Sequence, residues 1–196
     1  MKYVVMTAAM SSLLFVAGTA YAKVPAINSD GFYVQGDLGS SKLKAEASYS
    51  TYSSSYSDND TAFRVAAGKD FGNVRVALDY TDMGVLNIQG DWSAEITAKS
   101  VGISGIYDFN TKSAFTPYAG VRLGYNKVQL DSYRTTGTIT SKESGVGFGA
   151  LVGMQYQLNN NIALNANLEY NDLGKIDDAD ADVTNTGIYV GARYNF

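Results

Sequence analysis

Apolar and polar residues alternate with a period of two in short segments spread along this whole chain. In Val74-Arg75-Val76-Ala77-Leu78-Asp79-Tyr80 every even position is apolar, and the odd positions hold Arg75, Ala77 and Asp79. Successive side chains of a β-strand point to opposite faces, so such a segment makes a strand with one greasy and one charged face. One strand of this kind fits any half-buried sheet; about eight in series ask for a common architecture.

The N-terminus says where that architecture is built. Met1-Lys2 starts positively, Tyr3 to Ala17 is apolar with small-residue breaks, and Ala20-Tyr21-Ala22 is an A-x-A cleavage site. This reads as a signal peptide over residues 1–22, leaving 23–196 as the exported domain. The alternative, a membrane anchor, asks for a longer run without a cleavage site. No later apolar run is long enough to span a membrane as a helix. An exported chain of amphipathic strands predicts an all-β fold: an eight-stranded antiparallel transmembrane β-barrel of up-and-down topology, apolar face to lipid and polar face to a narrow interior.

Composition narrows the function classes. The chain has no Cys, which removes disulfides, thiolate nucleophiles and a lipidated cysteine. It has no His, the residue that barrel enzymes generally use for proton transfer, so the expectation is a protein that is not an enzyme and carries no cofactor. The formal charge of −4 argues against a nucleic-acid partner. Twenty Gly, fifteen Tyr and only two Pro suit a sheet with aromatic girdles and few interruptions.

Period two assigns the faces. Outward positions include Phe32, Val34 and Leu38; Phe63 and Val65; Val121 and Leu123; and Ile162, Leu164 and Leu168. Inward positions include the charges Asp37, Arg64, Arg75, Asp79, Arg122, Glu169 and Arg193. Segments following odd-numbered strands are long and polar (44–61, 82–95, 126–144 and 172–185) and are expected as loops. Those following even-numbered strands, such as Asp70-Phe71-Gly72-Asn73 and Leu158-Asn159-Asn160-Asn161, are turn chemistry. Outer-membrane barrels place short turns in the periplasm, so the long segments face outward from a Gram-negative cell.

The stretches Gly31-Phe32-Tyr33-Val34-Gln35, Arg75-Val76-Ala77-Leu78-Asp79-Tyr80, Ile106-Tyr107-Asp108-Phe109, Pro117-Tyr118-Ala119-Gly120-Val121-Arg122-Leu123 and Gly191-Ala192-Arg193-Tyr194-Asn195-Phe196 carry a resemblance to the opacity-protein family. The resemblance covers the strands and fails in the loops. It implies an eight-stranded outer-membrane barrel, a surface role in adhesion to host surface or serum proteins, and surroundings of outer-membrane lipid and lipopolysaccharide. It also implies that the terminal pattern of Tyr194 and Phe196 is read by the barrel-insertion machinery; the alternative is a simple girdle anchor. The long second and third loops of the larger opacity proteins are modest here, and a structural surface protein without a specific ligand is the alternative function.

Candidate sites follow. The inward charges are expected to pair with one another in a packed polar core, because eight strands enclose little more than their own side chains. Asp79 and Glu169 have the chemistry of an acid–base pair, but no nucleophile or histidine accompanies them. The Ser/Tyr-rich segment with Tyr49, Tyr52 and Tyr56 is the sharpest ligand-contact candidate, since Tyr supplies rigid amphipathic contact and Ser adaptable hydrogen bonds. A flexible shielding loop is the alternative. Trp92 and Tyr133 either join such a patch or sit at the membrane interface. The acidic run Asp177, Asp178, Asp180 and Asp182 lacks the glycine and bidentate glutamate of a calcium loop, so no metal site is assigned; a solvated acidic loop is expected, with weak divalent-cation bridging to lipopolysaccharide the alternative.

Overall fold

A computed structural model describes residues 31–49, 52–89, 93–111, 113–134, 137–176 and 181–196. The described residues form eight strands: β1 (Gly31–Tyr49), β2 (Tyr52–Asp70), β3 (Val74–Gln89), β4 (Ser93–Asp108), β5 (Phe115–Arg134), β6 (Gly137–Gln157), β7 (Ile162–Ile176) and β8 (Ala181–Asn195). Each pairs antiparallel with its chain neighbours, and β8 closes on β1. The alternation places Phe32, Leu38, Val65, Leu78, Val121 and Leu168 on the exposed surface, and Tyr33, Arg75, Asp79, Arg122 and Glu169 inside. At the short-turn end Asp70 accepts hydrogen bonds from the Gly72 amide (2.8 Å), while the Phe71 amide donates to the Val74 carbonyl (2.8 Å). Gly72 takes φ of 96°, a conformation that only glycine adopts cheaply.

Length is where the structure departs from the sequence reading. Over their described residues, the four long polar segments expected as loops are continuations of the strands. β1 and β2 stay paired to Tyr49–Tyr52, and β5 and β6 to Arg134–Gly137. Sustained pairing satisfies backbone groups that a loop would leave to water, and the Thr, Val and Tyr of these segments suit strands.

Two of the eight interfaces stop early. Pairing of β2 with β3 ends at Phe63–Asp82, and that of β6 with β7 at Phe148–Asp172. Above these levels the barrel divides into two four-stranded sheets, β7-β8-β1-β2 and β3-β4-β5-β6. The inner faces meet on an apolar cluster: Leu43, Leu173 and Val183 from one sheet, and Met83, Ile96, Ala98 and Val128 from the other. Each large side chain removed from water contributes about 1.5–3 kcal/mol, so this cluster is a small core in its own right.

The division recurs at equivalent places because the two halves of the chain repeat. Leu78-Asp79-Tyr80-Thr81-Asp82-Met83-Gly84 matches Leu168-Glu169-Tyr170-Asn171-Asp172-Leu173-Gly174. Both runs carry a β-bulge, at Asp82/Val85 and Asp172/Gly174. In both the aspartate accepts from the glycine amide, at 3.1 Å and 2.9 Å, and the glycine has positive φ, 83° and 92°. The repeat extends to the terminal aromatics, where Tyr107–Phe109 and Tyr194–Phe196 are edge-to-face pairs at 5.1 and 5.2 Å.

Candidate functional site

Two regions gather the polar chemistry: the barrel interior and the outer extension. In the interior, Arg122 on β5 reaches Asp79 on β3 through Nη2 (2.6 Å) and Nε (3.1 Å). Arg64 on β2 donates to Glu169 on β7 and, through Nε, to Thr81 Oγ1 at 2.9 Å. Asp79 lies 3.9 Å from the same Nε, so the two pairs touch. Asp37 has no arginine at bonding distance among the described residues; it accepts from Gln35 Nε2 (2.9 Å) and Asn165 Nδ2 (2.7 Å).

Nearer the short-turn end Arg75 grips Asp108 with two bonds of 2.7 Å, and Arg193 lies 3.7 Å from Asp70. Both guanidiniums lie over the Tyr33 ring, Arg75 at 5.9 Å and Arg193 at 5.1 Å, and Arg75 also lies over Tyr118 at 5.0 Å. Asp70 and Asp108 did not stand out in the sequence because each sits beside a turn. Continuing the even-inward parity of β2 and β4 by one more step would have placed both inside. Among these groups the interior hollow beside Tyr33, Arg64, Arg75, Asp79 and Tyr118 measures only about 30 Å³. A water needs about 10–15 Å³ of such space, so the hollow has room for two or three waters at most and the side chains occupy most of this level of the lumen.

In the extension, outward positions turn polar just above Tyr80 and Tyr125, becoming Lys99, Lys127 and Lys142, all exposed. Inward positions turn apolar at the same height, at Leu43, Ile96, Val128, Leu173 and Val183. This inversion of phase marks where lipid ends and an aqueous domain begins, and it is the sequence signal for the second core. Of the ligand-contact candidates, Tyr49 and Tyr52 form the last pair of β1 and β2, Tyr56 lies opposite Ala45, and Tyr133 lies between Ser93 and Thr138. The structure therefore brings Tyr49, Tyr52 and Tyr56 to one hairpin and puts Tyr133 on the other sheet. Trp92 and the acidic run Asp177, Asp178 and Asp180 lie outside the described residues. Tyr194 and Phe196 are exposed at the short-turn end, where the Phe196 amide donates to the Phe32 carbonyl (3.0 Å).

Sequence comparison decides the family. The family model described as opacity family porin protein matches residues 67–196. The chain belongs to the opacity family. It is 37% identical over 172 residues to a functionally uncharacterised protein of Haemophilus influenzae, covering 84% of this chain and 89% of that one. Among solved structures it is similar to neisserial surface protein A at 30% identity and a TM-score of 0.60, covering 85% of this chain and 97% of the other. It also shares its fold with Ail, the attachment invasion locus protein of Yersinia pestis, solved with the heparin analogue sucrose octasulfate: 18% identity, TM-score 0.55, 85% of this chain and 99% of that one. An opacity-family barrel of this build is a Gram-negative outer-membrane protein spanning the membrane with many strands, short turns in the periplasm and the divided extension outside.

Proposed function

We propose that this protein is a non-catalytic surface adhesin whose divided outer extension makes contact with host molecules. The observation that carries this is the reach and order of the extension. β5 and β6 run for 20 and 21 residues, about twice the 9–11 that a tilted strand needs to cross a bilayer. An ordered platform with its own apolar core loses less entropy on binding than a floppy loop. The Tyr- and Ser-bearing β1–β2 hairpin stands at its tip, and the attachment function in the name of the similarly folded Ail supports the reading.

The test is binding of fluorescent lipid vesicles carrying the purified protein to host epithelial cells and to immobilised serum proteins. A second preparation has the β1–β2 hairpin cut back to a tight turn between Ser41 and Asn59. Binding that falls at least tenfold on trimming supports an adhesin. Equal retention of both preparations at the level of empty vesicles leaves a structural surface protein instead.

Two further readings concern biogenesis. We infer that residues 1–22 are removed on export, which N-terminal sequencing of the protein from membranes checks by finding Lys23 first. The exposed pair Tyr194 and Phe196 is proposed to engage the insertion machinery. Phe196→Ala would then lower insertion in cells while refolding into detergent is unchanged; parallel losses would favour a girdle role.

A further inference from the structure

Just outside the lipid boundary, the outer wall of β3 to β6 collects cations. Its last lipid-facing row, read across the sheet by register, is Tyr80, Val101, Tyr125 and Val146. The next row outward is Asp82, Lys99, Lys127 and Ser144, and the one after it runs through Thr97 and Gln129 to Lys142. Lys99 and Lys127 are thus direct cross-strand partners on one face, and all three lysines are exposed. Like charges set opposite one another destabilise a sheet unless something of the other sign answers them. Asp82 does so for Lys99, at 3.6 Å. Among the described residues Lys127 forms no ion pair, and Lys142 has a longer-range attraction to Asp131.

The lysines border a groove of about 720 Å³, whose membrane-side margin is Tyr80, Val101 and Tyr125. That lies within the range of sites for small molecules, about 300–1,000 Å³. The Tyr125 hydroxyl donates to Ser144 Oγ (2.9 Å), which ties the ring to the lysine row. One row is two residues, about 7 Å along a strand and less along the membrane normal once the strand tilts. The headgroup layer of a leaflet is about 5–7 Å deep. Lys99 and Lys127 therefore stand at headgroup depth.

The order of charges along this wall says from which side a guest comes. Outside the lysines the next row is Glu95, Asp131 and Thr140, with Asp131 accepting from Gln129 Nε2 (2.8 Å) and Thr140 Oγ1 (2.6 Å). A polyanion arriving from the medium meets these carboxylates first, whereas an anion held at the membrane surface meets the lysines. The opposite wall is built differently. Its exposed Lys42 and its Lys44 both lie on β1, and their partners on β8 are Thr186 and Thr184.

We propose that Lys99, Lys127 and Lys142 bind a phosphate carried by an outer-leaflet lipid, the phosphorylated glucosamine headgroup of lipopolysaccharide. Lys99 and Lys127 hold the phosphate between them, Lys142 approaches it from the outer side, and the acyl chains run down the wall over Val101 and Val146. The phosphate supplies the negative charge that the facing lysines lack, and the bound lipid anchors the foot of the extension. This site lies away from the β1–β2 tip, so it goes beyond the adhesin reading and does not depend on it.

The test uses the full barrel in nonionic detergent, with bisphosphorylated lipid A and the same lipid stripped of both phosphates added in mixed micelles, and binding read by native mass spectrometry. The parent protein should hold the phosphorylated lipid at least tenfold more tightly than the stripped one, a comparison that needs no variant. Lys99→Gln combined with Lys127→Gln should weaken binding of the phosphorylated lipid at least tenfold. Lys42→Gln, a loss of positive charge on the opposite wall, should bind as the parent does. All these positions are exposed, so heat-modifiable gel migration should show every variant folded. Equal binding of the two lipids by the parent overturns the proposal. So does an equal loss in Lys42→Gln and the double variant, which would mean a diffuse charge effect. Soluble inositol hexakisphosphate binding the parent as tightly as lipid A, and failing with the double variant, would assign the lysines to polyanions of the medium and likewise overturn it.

Discussion

Glu169 and Asp79 occupy matching places in the two halves, yet their surroundings differ enough to predict different sensitivities. Glu169 is the carboxylate that neutralises buried Arg64, and among the described residues the other carboxylate paired with that guanidinium is Asp79, 3.9 Å away and already engaged by Arg122. Glu169→Ala should therefore cost about 3–5 kcal/mol, the usual consequence of stranding a buried charge. Replacing both partners, Arg64→Met with Glu169→Leu, should recover most of that loss, because the desolvation cost leaves with the charges. Denaturant unfolding in detergent checks both, and a double variant no better than the single would contradict the pairing. Glycines provide a second contrast. A Cβ on Gly68 would lie 2.5 Å from the Val76 carbonyl and 2.6 Å from the Tyr33 ring, and one on Gly153 would meet the Tyr118 ring at 2.4 Å. Gly68→Ala and Gly153→Ala should each destabilise by about 1–3 kcal/mol as overpacking, whereas Gly36→Ala, facing open space on the lipid side, should be silent in the same assay.

At the scale of the strand, the bulges of β3 and β7 end the ladder on one side while the strand continues on the other. Gly174→Ala meets nothing closer than the Val146 carbonyl at 3.6 Å, so its cost is the left-handed backbone alone, about 1–2 kcal/mol. Gly84→Ala adds a clash, because its Cβ would come within 2.8 Å of Asp60 Cβ. The prediction is a larger loss at Gly84 than at Gly174, together with faster exchange of the Val85 amide, which donates to Asp60 (2.8 Å), as Asp60 is displaced. Equal losses with Val85 unchanged would show that Asp60 does not bridge β2 and β3. These elements also show what the sequence could reveal. Strand existence and facing were legible because lipid outside and packed charge inside enforce strict parity, as in Ile162 to Tyr170 of β7. The outer halves were not, because there the parity reverses: Leu43, Met83, Ile96 and Leu173 point inward among polar neighbours, and a bulge shifts the count in β3 and β7. A period-two reading anchored on the lipid face takes that reversal for a loop. The internal repeat, visible in Asp82-Met83-Gly84 and Asp172-Leu173-Gly174, was the available signal for both bulges.

On the scale of the whole molecule, two barriers stand in series along the barrel axis. The lower is the charged interior, where Tyr33, Arg64, Arg75, Asp79 and Tyr118 line a hollow of about 30 Å³ and Arg122, Arg193 and Tyr189 are also buried. The upper is the apolar cluster between the two outer sheets, all of its members 9% exposed or less. For barriers in series the larger one governs the current; with the charged interior as that barrier, weakening the apolar cluster alone should leave conductance unchanged. Leu43→Ser combined with Val128→Ser should loosen the sheets, seen as faster amide exchange around Ala47 and Val183, because truncating core aliphatics removes about 2–5 kcal/mol of local support. Planar-bilayer recordings of the same variant should nevertheless show no more current than the parent, which itself conducts little or nothing. Stable porin-sized openings from the parent would mean the interior pairs are not packed as described. Openings from the double variant alone would mean instead that the upper cluster, not the arginine network, closes the barrel.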